Sequence, residues 1–217
     1  ASYGGIRAMT GTSGGGLSLM AESIGLAAIT ETPLVIADVQ RPGPATGLPT
    51  RTEQGDLLFA INISQGDIPL MVIAPRDHED AFYQTIRAHN LAEKYQIPVI
   101  ILSDQYLGDS TVSINEFDFS KVEINRHLID EKESDDYKNY KRYKFTDDGI
   151  SPRAYPGLLK GESVLVDSDE HDENGHIVED YEKRIKMADK RMKQLDKLRI
   201  EHWLKPGLDP TDSNEID

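Results

Sequence analysis

Ala37-Asp-Val-Gln-Arg-Pro-Gly-Pro-Ala-Thr-Gly-Leu-Pro-Thr-Arg-Thr-Glu-Gln-Gly-Asp56 is the stretch around which the rest of the sequence is organised. It begins at the end of an apolar run, residues 33–38, that is short, rich in β-forming residues and typical of a buried strand. The strand leads into a loop of about fifteen residues, and loops of this length are usually functional or disordered. Its three prolines each fix a φ angle, which favours a rigid loop.

The loop is rich in side chains that donate hydrogen bonds, and these are Gln40, Arg41, Thr46, Thr50, Arg51 and Gln54. Arg41 offers a planar fork of donors that suits a carboxylate, and the hydroxyls of Thr46 and Thr50 can add single hydrogen bonds. We therefore predict a carboxylate clamp made of these three residues. The competing interpretation is a surface arginine beside a proline loop.

Apolar runs alternate with helical patterns through the first half of the chain. The runs predict strands at residues 6–12, 33–38, 68–74 and 97–102, and the helical spacing predicts helices at about 17–28, 54–63 and 77–95. Strands that are apolar throughout and alternate with helices are typical of a mostly parallel sheet with helices on both faces. The sequence thus predicts an α/β fold whose loops after the strands meet at one edge, where such sheets bind ligands.

A glycine-rich turn, Thr12-Ser-Gly-Gly-Gly16, joins the first strand to the first helix. The free amide groups at the start of a helix attract anions, and glycine lets a ligand approach the backbone. We predict that Thr12, Ser13 and Gly14 lie close to a cofactor. The turn matches neither a P-loop nor a dinucleotide fingerprint, so an ordinary tight turn is the alternative.

Charge divides the chain in two, since residues 1–110 hold 18 charged side chains and residues 111–217 hold 44. We predict an α/β domain at residues 1–128, an extended charged linker at 129–176, and a docking helix and tail at 177–217. Residues 116–128 are expected to add an edge strand, and the Tyr/Lys-rich segment 130–148 to lie across a partner surface. The helix is predicted from about 178 to 201, with a heptad seam formed by Val178, Tyr181, Ile185, Ala188, Met192 and Leu195.

The histidines do not support nucleophilic catalysis, because none lies in the glycine or proline loops and no Ser–His–acid set can be assembled. Four residues resemble metal ligands, and these are His171, Asp172, Glu173 and His176. Their spacing matches no strong metal signature, and acidic residues before a helix also suit its dipole. We favour the second interpretation and predict no metal site in this chain. The predicted site therefore has donors but no obvious general base.

The overall composition restricts the partners. The formal net charge of −14 repels nucleic acid and anionic membranes, and no run is long enough to cross a bilayer. The chain has no cysteine, which excludes disulfides and cysteine-bound zinc or iron–sulfur clusters within it. We expect a cytoplasmic protein with neither nucleic acid nor membrane among its partners.

Two stretches, Arg7–Glu22 and Glu31–Leu57, resemble the alpha subunit of 2-oxoacid:ferredoxin oxidoreductases, especially the 2-oxoglutarate type. Residues 147–157 and 171–180 are similar to later stretches of the same subunit, so the likeness covers nearly the whole chain. The long loop is specific to this family, whereas the Thr-Ser-Gly turn is shared more widely among thiamine-diphosphate enzymes. The family usually has proline where this chain has Gly15.

The resemblance implies a pyrimidine-binding domain that encloses thiamine diphosphate and Mg together with a beta subunit. It implies that a 2-oxo acid, 2-oxoglutarate in the favoured case, is decarboxylated to an acyl-coenzyme A while ferredoxin is reduced. It also implies that an iron–sulfur cluster lies in the partner chain only. In such enzymes the loop's arginine and threonines bind the substrate carboxylate, and Arg41, Thr46 and Thr50 match them here.

The sequence begins without methionine, and we expect a fragment that enters within a fold. The family's activating glutamate and its Tyr-Pro-Ile-Thr-Pro motif would precede Ala1, so the catalytic residue stays unknown, and a C-terminal domain would follow Asp217. Two alternatives stay open. One is another thiamine-diphosphate decarboxylase or synthase, and the other is a non-catalytic scaffold subunit.

Overall fold

Four parallel strands form one sheet in the computed structural model, which describes residues 1–130, 132 and 137–202. The strands are β1 (Met9–Thr12), β2 (Leu34–Gln40), β3 (Met71–Ile73) and β4 (Pro98–Asp104), in the spatial order β1-β2-β4-β3. Every pairing is parallel, with β2 and β4 in the centre. This is the α/β arrangement that the apolar runs predict.

Helices cover both faces of the sheet. They are α1 (Gly15–Ser18), α2 (Ala21–Ile29), α3 (Leu57–Ile61), α4 (His78–Tyr95), α5 (Gln105–Asp109) and α6 (Tyr181–His202), with short 3-10 turns at Ser2–Gly4 and Phe119–Lys121. Alternate residues of the central strands point to opposite faces, so that Val35 and Val99 pack under α4 while Ile36 and Ile100 pack under α1 to α3.

The predicted helix around residues 54–63 is shorter in the structure because Gln54 and the Asp56 backbone bind residues at the sheet edge. The long helix α4 follows its prediction closely. Asp77 is its N-cap and accepts a hydrogen bond from the Asp80 N–H at 2.8 Å.

The predicted edge strand at 116–128 is wrong. This segment forms no strand among the described residues and contains only the 3-10 turn. Its contacts are with α4 instead, since Phe117 stacks on Phe82 with ring centroids 4.0 Å apart, and the Asp118 N–H donates to the Tyr83 hydroxyl.

Residues 129–176 are predicted from the sequence to form an extended charged linker, with residues 130–148 lying across a partner surface. The described part of this segment instead packs within the chain. It builds a small apolar cluster of its own, formed by Ile129, Tyr140, Ala154, Leu159 and Val164. Tyr143 is completely buried within this chain, where its ring lies 3.9 Å from that of His171. Tyr140 and Tyr143, two aromatic residues among the lysines, therefore pack inside this chain.

Helix α6 packs through a face that coincides only partly with the predicted heptad seam. Leu195 of the seam is buried, and Ala188 and Met192 are half-buried. Tyr181 and Ile185 are exposed, whereas Met187, Gln194 and Leu198 are buried. Lys190 is buried as well, and its Nζ lies 2.6 Å from Oε1 of the buried Glu31 beside the sheet. The seam is wrong at Tyr181 and Ile185 because a hydrophobic pattern does not register buried ion pairs. The tail after residue 202 lies outside the described residues.

A second ionic cluster ties distant segments to α4. The Glu93 carboxylate is 2.7 Å from Arg7, 2.8 Å from Arg126 and 3.1 Å from Arg153. Burial is the largest single influence on the pKa of Glu93 and raises it. The three guanidinium groups together outweigh burial, so the pKa of Glu93 is lowered. Among the described residues, no helix is long and apolar enough to cross a membrane.

Candidate functional site

The carboxyl ends of the strands bring the glycine turn and the long loop to one edge of the sheet. Thr12 ends β1 directly beside Asp38 of β2, and the register places Asp38 opposite Leu102 of β4. The loop starts at the end of β2 and returns to the same edge at Asp56, just before α3. The parallel topology thus creates the juxtaposition that the sequence predicts.

Gly14 is the point of contact between the turn and the loop. Its φ of +52° and ψ of −118° are disfavoured for residues with side chains, and a Cβ built on it would lie 2.6 Å from Cγ of Arg41. Its N–H donates to Oδ1 of Asp38 at 3.0 Å. The neighbouring Gly15 has no room for a side chain either, because a Cβ built on it would lie 2.8 Å from the Ala45 carbonyl oxygen. Glycine here permits the loop to lie against the turn.

The loop is held at both ends by side chains of the sheet edge. Gln40 donates to the Ser103 carbonyl oxygen at 3.2 Å and accepts from the Asp56 N–H at 3.0 Å. Gln54 donates to Oδ2 of Asp104 at 2.6 Å. Within the loop, the Leu48 N–H donates to the Pro42 carbonyl oxygen at 3.1 Å. These contacts support the predicted rigidity of the loop.

Arg41 directly follows β2 at this edge and is half-buried against Gly14. Its Nε is buried and has no hydrogen-bond partner among the described residues. A cation whose donor is unused inside a polar edge is suited to an anionic ligand. Thr46 and Thr50 are exposed on the same loop, so the structure brings Arg41 to the turn and leaves the two hydroxyls on the solvent side.

Two acidic residues that sequence reasoning treated only as loop boundaries belong to this site. Asp38 is completely buried, and its carboxyl group contacts that of Asp56. Burial, and secondly the neighbouring Asp56 carboxyl, raise the pKa of Asp38 from 3.8 to about 7, although the Gly14 N–H and Arg41 act in the opposite direction. The available signal was an acidic residue at the end of an otherwise apolar strand.

A cleft of about 570 Å³ opens beside the loop. Gln40, Gln54 and Asp104 form its polar end, and apolar residues of α3 and β3, including Leu57 and Val72, form its wall. The same edge exposes large apolar side chains, which are Leu19, Leu48, Leu57, Leu58 and Tyr106. We refer to these five residues as the apolar rim.

The four residues that resemble metal ligands have structural contacts. The two ring nitrogens of the buried His171 face the carbonyl oxygens of Ile29 and Asp172, at 3.0 and 3.1 Å. The Asp172 carboxylate accepts from two backbone N–H groups of its own turn, and Glu173 binds Lys141 at 2.8 Å. Among the described residues, no group of three histidines or acidic residues is placed to hold a metal ion.

Most of the chain matches a known protein family. Residues 1–190 match the family described as pyruvate flavodoxin/ferredoxin oxidoreductase, thiamine-diphosphate-binding. The chain is 48% identical over 194 residues to 2-oxoacid:ferredoxin oxidoreductase 1 subunit alpha of Sulfurisphaera tokodaii, which covers 88% of this chain and 30% of that protein. It is 38% identical over 201 residues to the 2-oxoglutarate synthase subunit KorA of Methanothermobacter marburgensis, covering 90% of this chain and 52% of KorA.

A solved structure is similar as well. The chain superposes on a 2-oxoglutarate:ferredoxin oxidoreductase from Magnetococcus marinus, whose structure holds 2-oxoglutarate, coenzyme A and succinyl-CoA, with a TM-score of 0.86 and 40% identity. The match covers 94% of this chain and 35% of that one. The chain therefore spans about a third of the length of several relatives that it matches, including this one.

Proposed function

The chain belongs to the thiamine-diphosphate-binding family of pyruvate flavodoxin/ferredoxin oxidoreductases, and from this membership we propose that it is the substrate-binding part of an alpha subunit. The proposed reaction is the oxidative decarboxylation of a 2-oxo acid to an acyl-coenzyme A, with electrons passed to ferredoxin. We favour 2-oxoglutarate as the substrate, because KorA relatives are named 2-oxoglutarate synthase subunits and the similar solved structure holds 2-oxoglutarate.

The observation that carries the proposal is Arg41. It is the half-buried cation of the strand edge, it has an unused buried donor, and it lies against the turn that the family match includes. Thr46 and Thr50 present exposed hydroxyl groups on the same loop. In our proposal, Arg41 binds a carboxylate of the 2-oxo acid and the two threonines close over it as substrate fills the site.

The turn fits a cofactor-proximal role. Thr12 and Ser13 are partly exposed, and the buried Gly14 brings Arg41 directly against the turn. When bound, thiamine diphosphate supplies the carbanion chemistry of the reaction through its thiazolium ring. In our proposal this chain positions the substrate carboxylate and excludes water, while the diphosphate, its Mg ion and an iron–sulfur cluster belong to a beta subunit. The absence of cysteine is consistent with that division.

The apolar rim supports a protein partner at this edge. Apolar patches on a protein surface often mark an interaction site. Leu57 and Leu58 directly follow the loop at the start of α3, and Leu58 and Leu19 are 74% and 88% exposed. We propose that the beta subunit covers the rim and thereby completes a site that this chain only half encloses. We also propose that the assembled enzyme works in the cytoplasm, with ferredoxin and coenzyme A as its other partners.

Arg41→Ala in the assembled enzyme tests the proposal. Loss of a charge-assisted contact with the substrate should lower kcat/KM for 2-oxoglutarate by roughly a hundredfold, largely through KM. The measurement is dye reduction by 2-oxoglutarate and coenzyme A at varied substrate concentration, with pyruvate run in parallel to compare substrates.

Arg51→Ala is the matched control, because Arg51 is an exposed arginine of the same loop whose contact is with the Thr50 carbonyl oxygen. It should change kcat/KM by no more than about threefold. An unchanged kcat/KM for Arg41→Ala would remove Arg41 from the site. An enzyme that consumes the 2-oxo acid without reducing dye would instead favour a decarboxylase or synthase, and failure to bind thiamine diphosphate would favour a scaffold.

A further inference from the structure

The two ends of the substrate loop meet at a pair of acidic side chains. Asp38 is the last fully buried acid of β2 before the loop, and Asp56 is the N-cap of α3 where the loop ends. Their carboxyl groups are in side-chain contact. They are eighteen sequence positions apart: Asp38 lies two residues before the end of β2, and Asp56 directly precedes α3 at the end of the loop.

Two buried carboxyl oxygens of the pair accept no hydrogen bond from the described residues. Oδ1 of Asp38 accepts from the Gly14 N–H, but Oδ2 of Asp38 and Oδ2 of Asp56 are both buried and accept from no N–H or O–H of the described residues. Two buried carboxylates in contact repel each other, and each unused acceptor costs free energy. One proton between the two carboxyl groups removes the repulsion and satisfies both oxygens at once.

From this geometry we propose that Asp38 and Asp56 share a proton, and that this carboxyl pair is a positioning device that closes the loop and directs Arg41 toward substrate. The pair acts through Arg41 and does not itself touch the 2-oxo acid. Its kinetic consequence rests on the proposed function of Arg41, whereas the closure of the loop does not.

The surroundings of the pair explain how it affects Arg41. The charged or polar groups that face Asp38 are Asp56 at the start of α3, the Gly14 N–H from the turn, and Arg41 from the loop. Asp104 of β4 is occupied by Gln54 and by the Leu107 N–H. While the proton is shared, the pair carries a single negative charge. Once it is lost, the pair carries two, and Arg41 is drawn toward Asp38 and away from a substrate carboxylate.

Closure of the loop should depend on pH, because it requires the proton shared by the carboxyl pair. The pKa of Asp38 is raised in the folded protein to about 7. The shared proton is therefore held below that pH and lost above it, so closure weakens as the pH rises through this range.

The test compares Asp56→Asn with Asp56→Ala in the assembled enzyme. An asparagine amide can donate permanently to Asp38, so Asp56→Asn should keep the loop closed at every pH, and Asp56→Ala should leave it open at every pH. Hydrogen–deuterium exchange of peptides that cover residues 41–56 measures closure without substrate. After correction for the chemical exchange rate, the wild-type loop should exchange severalfold faster at about pH 8.5 than at about pH 6. Asp56→Asn should show no such change.

The kinetic arm measures KM for 2-oxoglutarate over the same pH range. Wild-type KM should rise about tenfold across it, Asp56→Asn should stay flat, and Asp56→Ala should be raised throughout. Asp38→Asn, which can still accept from Gly14 and donate to Asp56, is a second closed variant if Asp56→Ala does not fold. Glu53→Gln is the control, since Glu53 is an exposed acid of the same loop, and it should behave as wild type.

The outcomes separate the two proposals. If wild-type loop exchange is insensitive to pH, or if Asp56→Asn shows the same sensitivity as wild type, the shared proton is overturned. If exchange behaves as expected while KM is unaffected, the carboxyl pair stands as the closure of the loop and its action on substrate through Arg41 is overturned. The carboxylate-binding role of Arg41 fails only in the separate measurement, if Arg41→Ala leaves kcat/KM unchanged.

Discussion

At the scale of single residues, Gly14 decides how close the turn and the loop can come. Its backbone conformation and the position of Arg41 leave no room for a side chain. The sequence predicts a glycine turn and a loop arginine as separate features, because each has its own local signature. Their contact is a product of the parallel register between β1 and β2, which residue patterns encode only indirectly.

Gly14→Ala tests this close approach. The backbone strain should destabilise the chain by about 1–2 kcal/mol, and the displaced Arg41 should lower kcat/KM for the 2-oxo acid by at least about tenfold. Urea unfolding measures the first effect and steady-state kinetics of the assembled enzyme the second. Gly66→Ala is the control, since a Cβ at Gly66 has no neighbour within 4 Å. Equal effects of the two substitutions would argue against a special role for Gly14.

At the scale of elements, the strands and α4 were predictable, whereas the buried face of α6 was predictable only in part, at Leu195. The central strands β2 and β4 begin with apolar runs, and α4 has an acidic N-cap and an apolar stripe, so their patterns are local. Helix α6 is buried partly through Lys190, Arg191 and Gln194. Its orientation depends on carboxylates far away in sequence, at Glu31 and Glu170. The spacing of hydrophobic residues does not predict ion pairs of this kind.

The ion pair between Lys190 and Glu31 predicts a large effect at this scale. Lys190→Met leaves the fully buried Glu31 without its cation and should cost about 3–5 kcal/mol in the free energy of unfolding. The double variant Glu31→Gln/Lys190→Met removes both charges and should regain most of that loss. Denaturant unfolding of the two variants checks this. A single variant as stable as wild type would show that the pair contributes no net stability.

At the scale of the whole molecule, the α/β architecture and the placement of the loops at one edge follow from the sequence alone. The role of residues 137–176 does not, because Tyr140 and Tyr143 pack inside the chain through contacts that polar neighbours conceal. The carboxyl pair was also missed, since contact between Asp38 and Asp56 depends on how the loop returns to the sheet. The unused donor of Arg41 and the apolar rim lie at the same edge, which is consistent with a site shared between chains.

The apolar rim gives a prediction about assembly. Leu58→Glu places a charge on the exposed surface of α3 and should weaken association with the proposed beta subunit by at least about tenfold, because burial of that charge opposes docking. The chain's own fold should persist, since the side chain is 74% exposed. Size-exclusion chromatography of the mixed subunits, with circular dichroism of the free one, measures both. Ile185→Glu on α6 is the matched control, and equal loss of assembly for both would contradict a partner at the rim.

The ion pair between Glu31 and Lys190 also bears on how the protein is made. The two residues are 159 positions apart, and Glu31 sits two positions after α2 and three before β2. At a ribosomal speed of about 5–20 residues per second, Glu31 is added to the chain roughly 8–30 seconds before Lys190. During that interval the nascent sheet has to keep this acid hydrated. Native burial of Glu31, and with it the docking of α6, is therefore a late step of synthesis that is completed only after the sheet has left the ribosome.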